Sequence, residues 1–561
     1  MKRICTRLFV VNLFVLLSIS LLFAGTENKA TLVTRERYIG EYQPEVMNIS
    51  PDYRHMGCIM ERSGKKMAVI DGKEGTLYDQ VFGRVAFSPD SKHNAYVAQQ
   101  GDKQFVVLDG KEGKRYDAVG LISFSPDSST LAYLARRNGK YLVVVGESEG
   151  KEYSQIDYRK PFFSPDGKRH AYGAKRGSKW LIVADGKEGP ECDAPDWTCN
   201  WYLFSSNSKH VAYYGIYDKK KSYVVDGVQG PQYDELGSFS FSADGEHFAY
   251  AARRGDKWVV ISDGQESKEY DKIDVYTGFF AKSGNRFAYI AVRDGKHFMV
   301  IDGKEEAQYD YIPRFEFSPD GKRLAYLANS GRKQLFIVDG QEQGRTEHSA
   351  NVRGPEFSPD SKHVFFWVSG SNYAGFFVMD GKVQDESIYQ VVFSPNGMRR
   401  AERGSRKYFE FNKSDKPDKP KPFPYEYFVI LDGKEEPYRP SLYYEFCFSF
   451  SHDGKHYAYV ASVASTKKEK QTVAVVVDGK MGKPFDTILP IEGPVFTSDS
   501  KHIVYIGMRD DLLCYIVLGE KESKGYLLVE KRLILEGNTV RAVALKDDKV
   551  YSVELEIRNG Q

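Results

Sequence analysis

The chain has 561 residues, and its 79 Lys and Arg residues nearly balance its 77 Asp and Glu residues. This balance argues against a nucleic-acid-binding protein, because phosphate binding needs a surplus of Lys and Arg. A hydrophobic content of 41%, with 38 Tyr and 35 Phe, excludes a largely disordered chain and favours strands.

The N-terminus has the pattern of a secretory signal peptide. Lys2, Arg3 and Arg7 precede an apolar run that ends at Ala24. We predict a signal peptide over residues 1–24 and a lead-in over 25–44, and therefore a secreted protein, periplasmic or extracellular, with no membrane span after cleavage. The apolar run of 17 residues is at the short edge for crossing a bilayer, so an uncleaved anchor is the alternative.

One phrase recurs along the rest of the chain, as in Phe87-Ser-Pro-Asp-Ser and Phe317-Ser-Pro-Asp-Gly. We call it the anchor phrase and number each repeat from its Pro site. Pro, Asp and a following Gly or Ser are typical of a tight turn between strands. Tyr seven positions after the Pro site marks a second strand, and Asp-Gly pairs such as Asp339-Gly340 predict a hairpin after a third. Twelve copies align on the Pro site, at 51, 89, 126, 165, 206, 243, 282, 319, 359, 395, 452 and 498.

The stretch from Phe317 to Tyr326, Phe-Ser-Pro-Asp-Gly-Lys-Arg-Leu-Ala-Tyr, resembles the repeat of TolB-like β-propellers. The same repeat forms the propeller of prolyl-oligopeptidase and dipeptidyl-peptidase relatives. The resemblance covers roughly residues 45–530 and implies an all-β fold of four-stranded blades. It also implies that the strand ending in Phe-Ser is the innermost of each blade, and it leaves the function open.

About twelve blades exceed the four to eight of a usual ring. We therefore predict two six-bladed propellers in tandem, over residues 45–275 and 276–540, followed by closing strands over 541–561. A division into seven and five blades and a single large ring are the alternatives. The tenth repeat carries an insertion, which we place at 399–424.

The histidines do not have the distribution of a metal site. Seven of the eleven occupy the fourth position after the Pro site, and Arg fills that position at 169, 286, 323 and 399. Because protonated Arg has no lone pair to offer a metal, we interpret this position as a polar residue beside the turn. The anchor-phrase Asp residues are spread one per blade, so we predict no metal and no cofactor.

Peptidase relatives of this propeller carry an α/β-hydrolase domain, which this chain has no room for after its last blade. Gly146-Glu-Ser148-Glu-Gly150 matches the Gly-x-Ser-x-Gly pattern, but it occupies the position of an Asp-Gly hairpin and no helical pattern follows it. We interpret it as a turn and predict no catalytic residue.

Two departures from the repeat are candidate contact sites. A lengthened loop contains Cys192 and Cys199, a candidate disulfide in an oxidising compartment, with Trp197 and Trp201 as candidate partner contacts. The tenth repeat contributes a basic segment, followed by a charged, Pro-rich stretch that could dock an acidic partner. The basic candidate contacts are Arg399, Arg400, Arg403, Arg406 and Lys407.

The sequence favours a secreted, non-catalytic scaffold that binds a protein or an envelope component through loops at a ring face. The alternative is a small-ligand site or an enzyme site built from inner-strand residues at the channel mouth, for which Glu402, Arg314 and Glu316 are the candidate polar residues.

Overall fold

The computed structural model shows a chain whose regular structure is entirely β. None of the residues that it describes belongs to a helix, and hence none to an apolar helix of membrane-spanning length. The described residues are 31–43, 46–157, 162–193, 202–274, 279–347, 351–369, 375–384, 388–407, 425–437, 439–440, 447–463, 472–489, 493–530 and 532–558.

The strands form thirteen antiparallel sheets, each a blade of a β-propeller. Twelve blades follow one another in chain order, and the N-terminal strand β1 (Thr31–Glu41) belongs to the thirteenth. Blades 1 to 4 contain β2 (Asn48–Ile49), β3 (Met56–Arg62), β4 (Lys65–Ile70) and β5 (Lys73–Glu74); β6 (Gln80–Phe87), β7 (Asn94–Gln100), β8 (Lys103–Leu108) and β9 (Lys111–Glu112); β10 (Ala118–Phe124), β11 (Leu131–Arg137), β12 (Lys140–Val145) and β13 (Ser148–Glu149); β14 (Gln155–Ile156) with β15 (Phe162–Phe163), β16 (His170–Arg176), β17 (Lys179–Ala184) and β18 (Lys187–Glu188).

Two turns of each regular blade lie on the same face of the ring. The anchor phrase joins the first strand to the second, and the Asp-Gly pair joins the third to the fourth, so antiparallel pairing places both turns on one face, which we call the anchor face. Blades 5 to 8 contain β19 (Tyr202–Phe204), β20 (Val211–Tyr217), β21 (Lys220–Val225) and β22 (Val228–Gln229); β23 (Glu235–Phe241), β24 (Phe248–Arg254), β25 (Lys257–Ser262) and β26 (Gln265–Glu266); β27 (Lys272–Ile273), β28 (Ala288–Arg293), β29 (Lys296–Ile301) and β30 (Lys304–Tyr309); β31 (Phe315–Phe317), β32 (Leu324–Ser330), β33 (Lys333–Val338) and β34 (Gln341–Glu347).

The first strand of each blade is its innermost strand, because the first strands of neighbouring blades lie close to one another. For example, β31 lies close to β35 (Asn351–Phe357) of the next blade. Blades 9 to 12 contain β35, β36 (Val364–Ser369), β37 (Gly375–Met379) and β38 (Lys382–Val383); β39 (Ile388–Phe393), β40 (Arg400–Lys407), β41 (Tyr425–Leu431) and β42 (Lys434–Glu435); β43 (Phe448–Phe450), β44 (Tyr457–Val463), β45 (Thr472–Val477) and β46 (Lys480–Met481); β47 (Thr487–Ile488) with β48 (Val495–Phe496), β49 (Ile503–Met508), β50 (Cys514–Leu518) and β51 (Lys521–Glu522).

The thirteenth blade joins the two ends of the chain. Its outermost strand is β1, which pairs antiparallel with β55 along almost its whole length. The lead-in predicted over 25–44 therefore contains a blade strand, and the segment predicted to close the fold, 541–561, contains all of β55. The C-terminal strands of this blade are β52 (Leu527–Leu528) with β53 (Ile534–Glu536), β54 (Thr539–Lys546) and β55 (Lys549–Arg558).

Second strands are apolar on both faces because each blade packs between two others. In β32, Tyr326 packs against blade 7, whereas the next residue, Leu327, packs against blade 9. Small residues, Ala325 and Ala328, flank them and allow the sheets to approach. This arrangement explains the repeated Leu-Ala-Tyr-Leu-Ala pattern.

An apolar core fills every junction between successive blades. A further core contains Ile39, Met56 and Val543 and joins blade 13 to blade 1. The junction between blades 6 and 7, where two tandem rings would separate, has a core of the same kind, with Ala249, Val260 and Tyr289.

The structure therefore confirms the all-β propeller and fits the alternative of one large ring. A six-plus-six division would need a core that returns from blade 6 to blade 1, and none of the cores formed by described residues makes that connection. The count of about twelve agrees with thirteen, since the thirteenth blade lacks the anchor phrase. The insertion placed at 399–424 begins later than predicted, because residues 400–407 form β40. Residues 408–424 lie outside the described residues.

Candidate functional site

The anchor phrase is occupied in building its own turn. The hydroxyl of Ser88 donates to Asp90 Oδ1 at 2.6 Å and accepts from the backbone N–H of His93 at 3.0 Å. The hydrogen bond from Ser88, followed by one from the Lys92 N–H, lowers the pKa of Asp90 to about 2. Equivalent hydroxyl bonds to the Asp or Asn side chain come from Ser50, Ser125, Ser164, Ser205, Ser242, Ser318, Ser358, Ser394, Ser451 and Thr497.

The position that alternates between His and Arg binds the Asp of the Asp-Gly turn. His93 Nδ1 lies 2.7 Å from Asp109 Oδ2, and Arg323 Nε donates to Asp339 Oδ2 at 2.9 Å. Both side chains offer one N–H to the same carboxylate, which gives the interchange a structural reason. The other pairs are His55–Asp71, Arg169–Asp185, His210–Asp226, His247–Asp263, Arg286–Asp302, His363–Asp380, Arg399–Asp432 and His456–Asp478.

This coupling was visible in the sequence and was missed. Blade 3 lacks both partners, because Thr130 replaces the His or Arg and Gly146 replaces the Asp. The loss of both partners in blade 3 indicates a contact, whereas blade 12 keeps His502 where Gly519 replaces the Asp. Within the described part of the chain, no group of three or more His, Cys, Asp and Glu side chains is placed to hold a metal ion.

In blades 1 and 11, the residue at the third position before the Pro site bonds the next blade. Asn48 donates from Nδ2 to the carbonyl of Val85 at 2.9 Å, and Ser449 donates from Oγ to the carbonyl of Pro494 at 2.6 Å. Blades 8 and 9 carry Glu316 and Glu356 at this position. A carboxylate has no N–H or O–H to donate when it is ionised, so these two residues cannot make the bond that Asn and Ser make.

Around these two carboxylates lies a group of charged side chains that we call the charged wall, consisting of Lys282, Arg314, Glu316 and Glu356. Lys282 Nζ lies 3.7 Å from Glu316 Oε1. Burial, and then the nearby charge of Glu316, raise the pKa of Glu356, while the charge of Arg314 opposes them. Glu356 is nevertheless exposed to solvent. A side chain whose pKa is raised by burial and which is still exposed to solvent lies in a concave part of the surface.

The sequence identified only part of this wall. Arg314 and Glu316 were predicted as channel residues, and the structure places them in and beside the inner strand β31. Glu356 and Lys282 were missed, although Glu356 occupies the same repeat position as Glu316. Glu402 lies elsewhere: it is buried in the second strand β40, and Arg400 Nε contacts its Oε1 at 2.8 Å.

The described arginines of the predicted docking segment have contacts within the protein. Arg399 binds Asp432, donates to the carbonyl of Lys455 at 2.5 Å and stacks over Phe450. Arg403 is buried, with its guanidinium over the Tyr427 ring. Arg406 and Lys407 belong to β40, and their side chains lie outside what the structure describes. The partner-contact role of this segment stays a prediction, and these contacts give Arg399 and Arg403 a structural role instead.

Cys192 occupies the place of the Tyr that ends other repeats, as its backbone pairs with Trp180 in the way that Tyr233 pairs with Lys221. Its side chain lies in the core between blades 4 and 5. Burial raises its pKa to about 11. Cys199, Trp197 and Trp201 lie outside the described residues, so the disulfide and the Trp contacts stay predictions.

Ser148 begins the two-residue strand β13, directly after the hairpin at Gly146. The neighbouring Glu149 accepts a hydrogen bond from Tyr116 and pairs with Arg137. This geometry agrees with the interpretation of the Gly-x-Ser-x-Gly match as a turn.

No protein-family model matches the chain. No curated protein matches it either.

Among solved structures, the chain is similar to one described as the eukaryotic initiation factor, with 10% identity over 62% of this chain and 89% of that chain, at a TM-score of 0.26. It is similar to TolB from Acinetobacter baumannii, with 17% identity over 39% of this chain and 63% of that chain, at 0.19. It is also similar to the β-propeller domain of the Trilobed protease from Pyrococcus furiosus, with 13% identity over 47% and 96%, at 0.21. Similarities at these scores carry no conclusion about function.

Proposed function

We propose that the chain is a non-catalytic β-propeller scaffold that binds a protein or cell-envelope component, and that the charged wall is its contact site. The observation that supports this is the grouping of Lys282, Arg314, Glu316 and Glu356 on neighbouring blades. Burial raises the pKa of Glu356, which makes its ionised form less favourable there than in water, although the side chain is exposed. Costly charges at an accessible position are typical of binding sites.

The size of the ring bears on the kind of partner. Thirteen sheets about 10 Å apart give a perimeter of about 130 Å, or a circle about 40 Å across through the middle of the blades. With strands about 4.8 Å apart, the inner strands of such a ring leave an opening of roughly 25 Å. A small molecule on the wall would touch blades 7 to 9 alone, whereas a helix or a small protein element could enter the opening.

Crosslinking in intact envelopes tests the proposal. The double variant Glu316→Gln/Glu356→Gln should lose a partner that the wild type captures reproducibly. Asp256→Asn/Glu269→Gln is the matched control, because it removes two exposed negative charges elsewhere and should keep the partner. Equal capture by both double variants would contradict the role of the wall.

A separate variant tests the docking segment of the tenth repeat. Replacing residues 408–424 with a two-residue Asn-Gly turn keeps the β40–β41 pair, in which Lys407 faces Tyr425, so a partner lost only in this variant would assign the contact to the segment rather than the wall.

A small-ligand site on the same wall is the second candidate function, favoured by the mixed charges around Glu356. Thermal-shift screening of the purified protein against small cationic and zwitterionic compounds would separate the two candidates. A compound that stabilises the wild type but not Glu316→Gln/Glu356→Gln supports the ligand site, and crosslinking of a protein with no such compound supports the scaffold.

We also propose export of the chain, supported by the basic, apolar and polar order of residues 1–29. N-terminal sequencing of protein recovered outside the cytoplasm should give a chain that starts at Gly25. Recovery of an intact N-terminus in the membrane fraction would instead establish the anchor.

A further inference from the structure

Three consecutive residues of β1 bind three different blades. Arg35, Glu36 and Arg37 make these contacts from the outermost strand of blade 13. Arg35 pairs with Glu554 at 2.9 Å and with Glu556 at 3.3 Å, both in blade 13. Glu36 accepts a hydrogen bond from Tyr526 at 2.6 Å and pairs with Lys524 at 2.7 Å, both of which follow blade 12. Arg37 pairs with Asp71 of blade 1 at 3.0 Å.

The Glu36 contact completes a pattern found around the outer edge of the ring. In blade 3, Glu149 of the fourth strand accepts from Tyr116, which follows blade 2, at 2.8 Å, and pairs with Arg137 of its own blade at 3.0 Å. Tyr526 donates to Glu36 in the same sense. β1 therefore performs the role of a fourth strand, although it comes from the opposite end of the chain.

The junction between blades 13 and 1 differs from the others in its charges. Hairpin register places Arg541 and Glu554 of blade 13 where blade 8 has the apolar pair Ala325 and Val338. Arg541 is buried and binds Glu554 at 3.1 Å and Glu536 at 2.7 Å. Its Nη1 atom is buried and has no hydrogen-bond partner.

Glu554 is the centre of this junction. It accepts from Arg541 of its own blade, from Arg35 of β1 and from Arg54 of blade 1, the last at 3.2 Å. Partly exposed ion pairs weaken in salt, whereas apolar cores do not. Ion pairs also join other blades, as Lys209 does with Glu246 between blades 5 and 6, but this junction centres on one carboxylate that binds three arginines.

Chain connectivity determines what would open. Residues 42–47 tether β1 to blade 1, whereas β55 belongs to the C-terminal end. Separation of β1 from β55 would open the ring without breaking any of the other twelve sheets.

We propose that the ring opens between β1 and β55, and that Glu554 is the positioning residue that holds this seam closed. The proposal concerns the closure of the ring and is independent of the partner that the charged wall binds.

Hydrogen exchange of the full mature chain, read by mass spectrometry, tests the seam. In Glu554→Gln, peptides from β1 and β55 should exchange at least about tenfold faster than in the wild type, while peptides from β28 and β29 keep their rates. Raising NaCl from 0.05 M to about 1 M should accelerate the wild-type seam in the same direction.

Glu305→Gln is the matched control, because it removes the carboxylate of an ordinary outer-edge contact, that of Arg293 and Tyr270 in blade 7. Glu305→Gln should leave the hydrogen-exchange rates of β1 and β55 unchanged. If β1 and β55 in Glu554→Gln stay as protected as β28 and β29, or if Glu305→Gln accelerates them equally, the proposal is wrong.

A disulfide provides a second test that does not depend on the folding of Glu554→Gln. Val33 and Glu556 face each other across the β1–β55 pair, so Val33→Cys/Glu556→Cys can close the ring covalently. Oxidation should abolish the salt-induced exchange of β55, and reduction should restore it. Gln334→Cys/Thr346→Cys, a facing pair in blade 8, should not change the seam on oxidation. Equal seam exchange in the oxidised and reduced Val33→Cys/Glu556→Cys protein would overturn the proposal.

Discussion

The carboxylate of each Asp-Gly turn needs an N–H donor at the start of the second strand, and imidazole and guanidinium both supply one. Arg does more than His, because its second nitrogen reaches the next blade. Arg323 Nη1 donates to the carbonyl of Lys362 at 2.7 Å, and Arg169 makes the equivalent contact to Lys209. The repeat position thus combines a bond within the blade with an optional bond between blades.

This difference predicts an order of stability at position 323. Arg323→His should keep the contact with Asp339 but lose the bond to blade 9, and Arg323→Met should lose both. We therefore expect the thermal midpoint to fall from wild type to Arg323→His and further to Arg323→Met. An Arg323→Met protein as stable as Arg323→His would show that the Asp339 contact contributes nothing.

Glu356 predicts a pH effect with a definite sign. Its folded-state pKa is raised above the ordinary 4.5, so the folded protein binds the proton more tightly than the unfolded chain. The stability of the wild type should therefore fall as pH rises through the folded-state pKa of Glu356, and Glu356→Gln should remove this loss.

Urea unfolding at pH 8 and pH 4 checks the prediction. The Glu356→Gln variant should have a higher midpoint than the wild type at pH 8 and lose that advantage at pH 4. Glu269→Gln, an exposed glutamate outside the wall, serves as the control. A Glu356→Gln protein less stable than the wild type at pH 8 would contradict the argument.

Among the structural elements, the anchor turn exists in two forms that differ in how they join neighbouring blades. Where Ser follows the Asp, its hydroxyl accepts the Asp N–H of the preceding blade, as Ser361 does from Asp320 at 3.0 Å. Where Gly follows, its open face lets the preceding blade approach, as Gly397 does with Asp360. Both residues adopt a positive φ, 64° at Ser361 and 71° at Gly397.

Substitutions at Ser361 separate the hydrogen bond from the backbone conformation. Ser361→Ala loses the bond and keeps the unfavourable positive φ, whereas Ser361→Gly loses the bond but relaxes the backbone. We expect Ser361→Gly to be more stable than Ser361→Ala by about 1 kcal/mol, measured by urea unfolding. Equal stability of the two variants would mean that the turn rearranges.

Most strands could be predicted from the sequence because each repeat contains the residues that form its turns. The anchor phrase located the boundary between first and second strands, and Asp-Gly located that between third and fourth. The start of the insertion was misjudged because Arg400 and Arg403 are charged, yet an ion pair holds Arg400 and stacking on Tyr427 holds Arg403 in β40. The charged wall was only half predicted, because proximity between blades appears only when residues are compared at the same repeat position.

At the scale of the whole molecule, the number of blades in the ring could not be predicted. Every junction uses the same kind of apolar core, so the repeats alone do not say where a ring ends. The strand that closes the ring is β1, but Thr31 to Glu41 contain no anchor phrase and the sequence predicts only a lead-in there. The pairing of β1 with β55, together with the contacts of Arg35 and Glu36, shows that this segment completes blade 13.

Ring closure should also be sensitive to acid. Hydrogen bonds from Lys524 and Tyr526 lower the pKa of Glu36, and one from Arg541 lowers that of Glu536. Burial raises the pKa of Glu554, but hydrogen bonds from Arg541 and Arg54 outweigh it and the pKa is lowered overall. Lowered carboxyl pKa values stabilise the fold above the unfolded value of 4.5, and this contribution is lost as pH falls below it.

The wild type should therefore exceed Glu554→Gln in unfolding free energy at pH 7, by roughly 1–3 kcal/mol. The difference should shrink as pH falls from 4.5 towards the folded-state pKa values. Asp52, which raises the pKa of Glu536, and Lys546, which lowers that of Glu36, face the same network and are unchanged in both proteins. Urea titrations at several pH values measure the difference, and a gap that stays constant down to pH 3 would contradict this assignment.

The pairing of β1 with β55 imposes an order in time on the making of the protein. Arg35 and Glu554 are 519 positions apart, so β1 has no strand partner until the twelve blades that follow it have been synthesised. At about 5–20 residues per second, that wait is on the order of 25–100 s. Throughout it, the nascent chain is an open arc of blades with an unpaired strand at its leading end, and any factor that protects this strand must act before the ring exists.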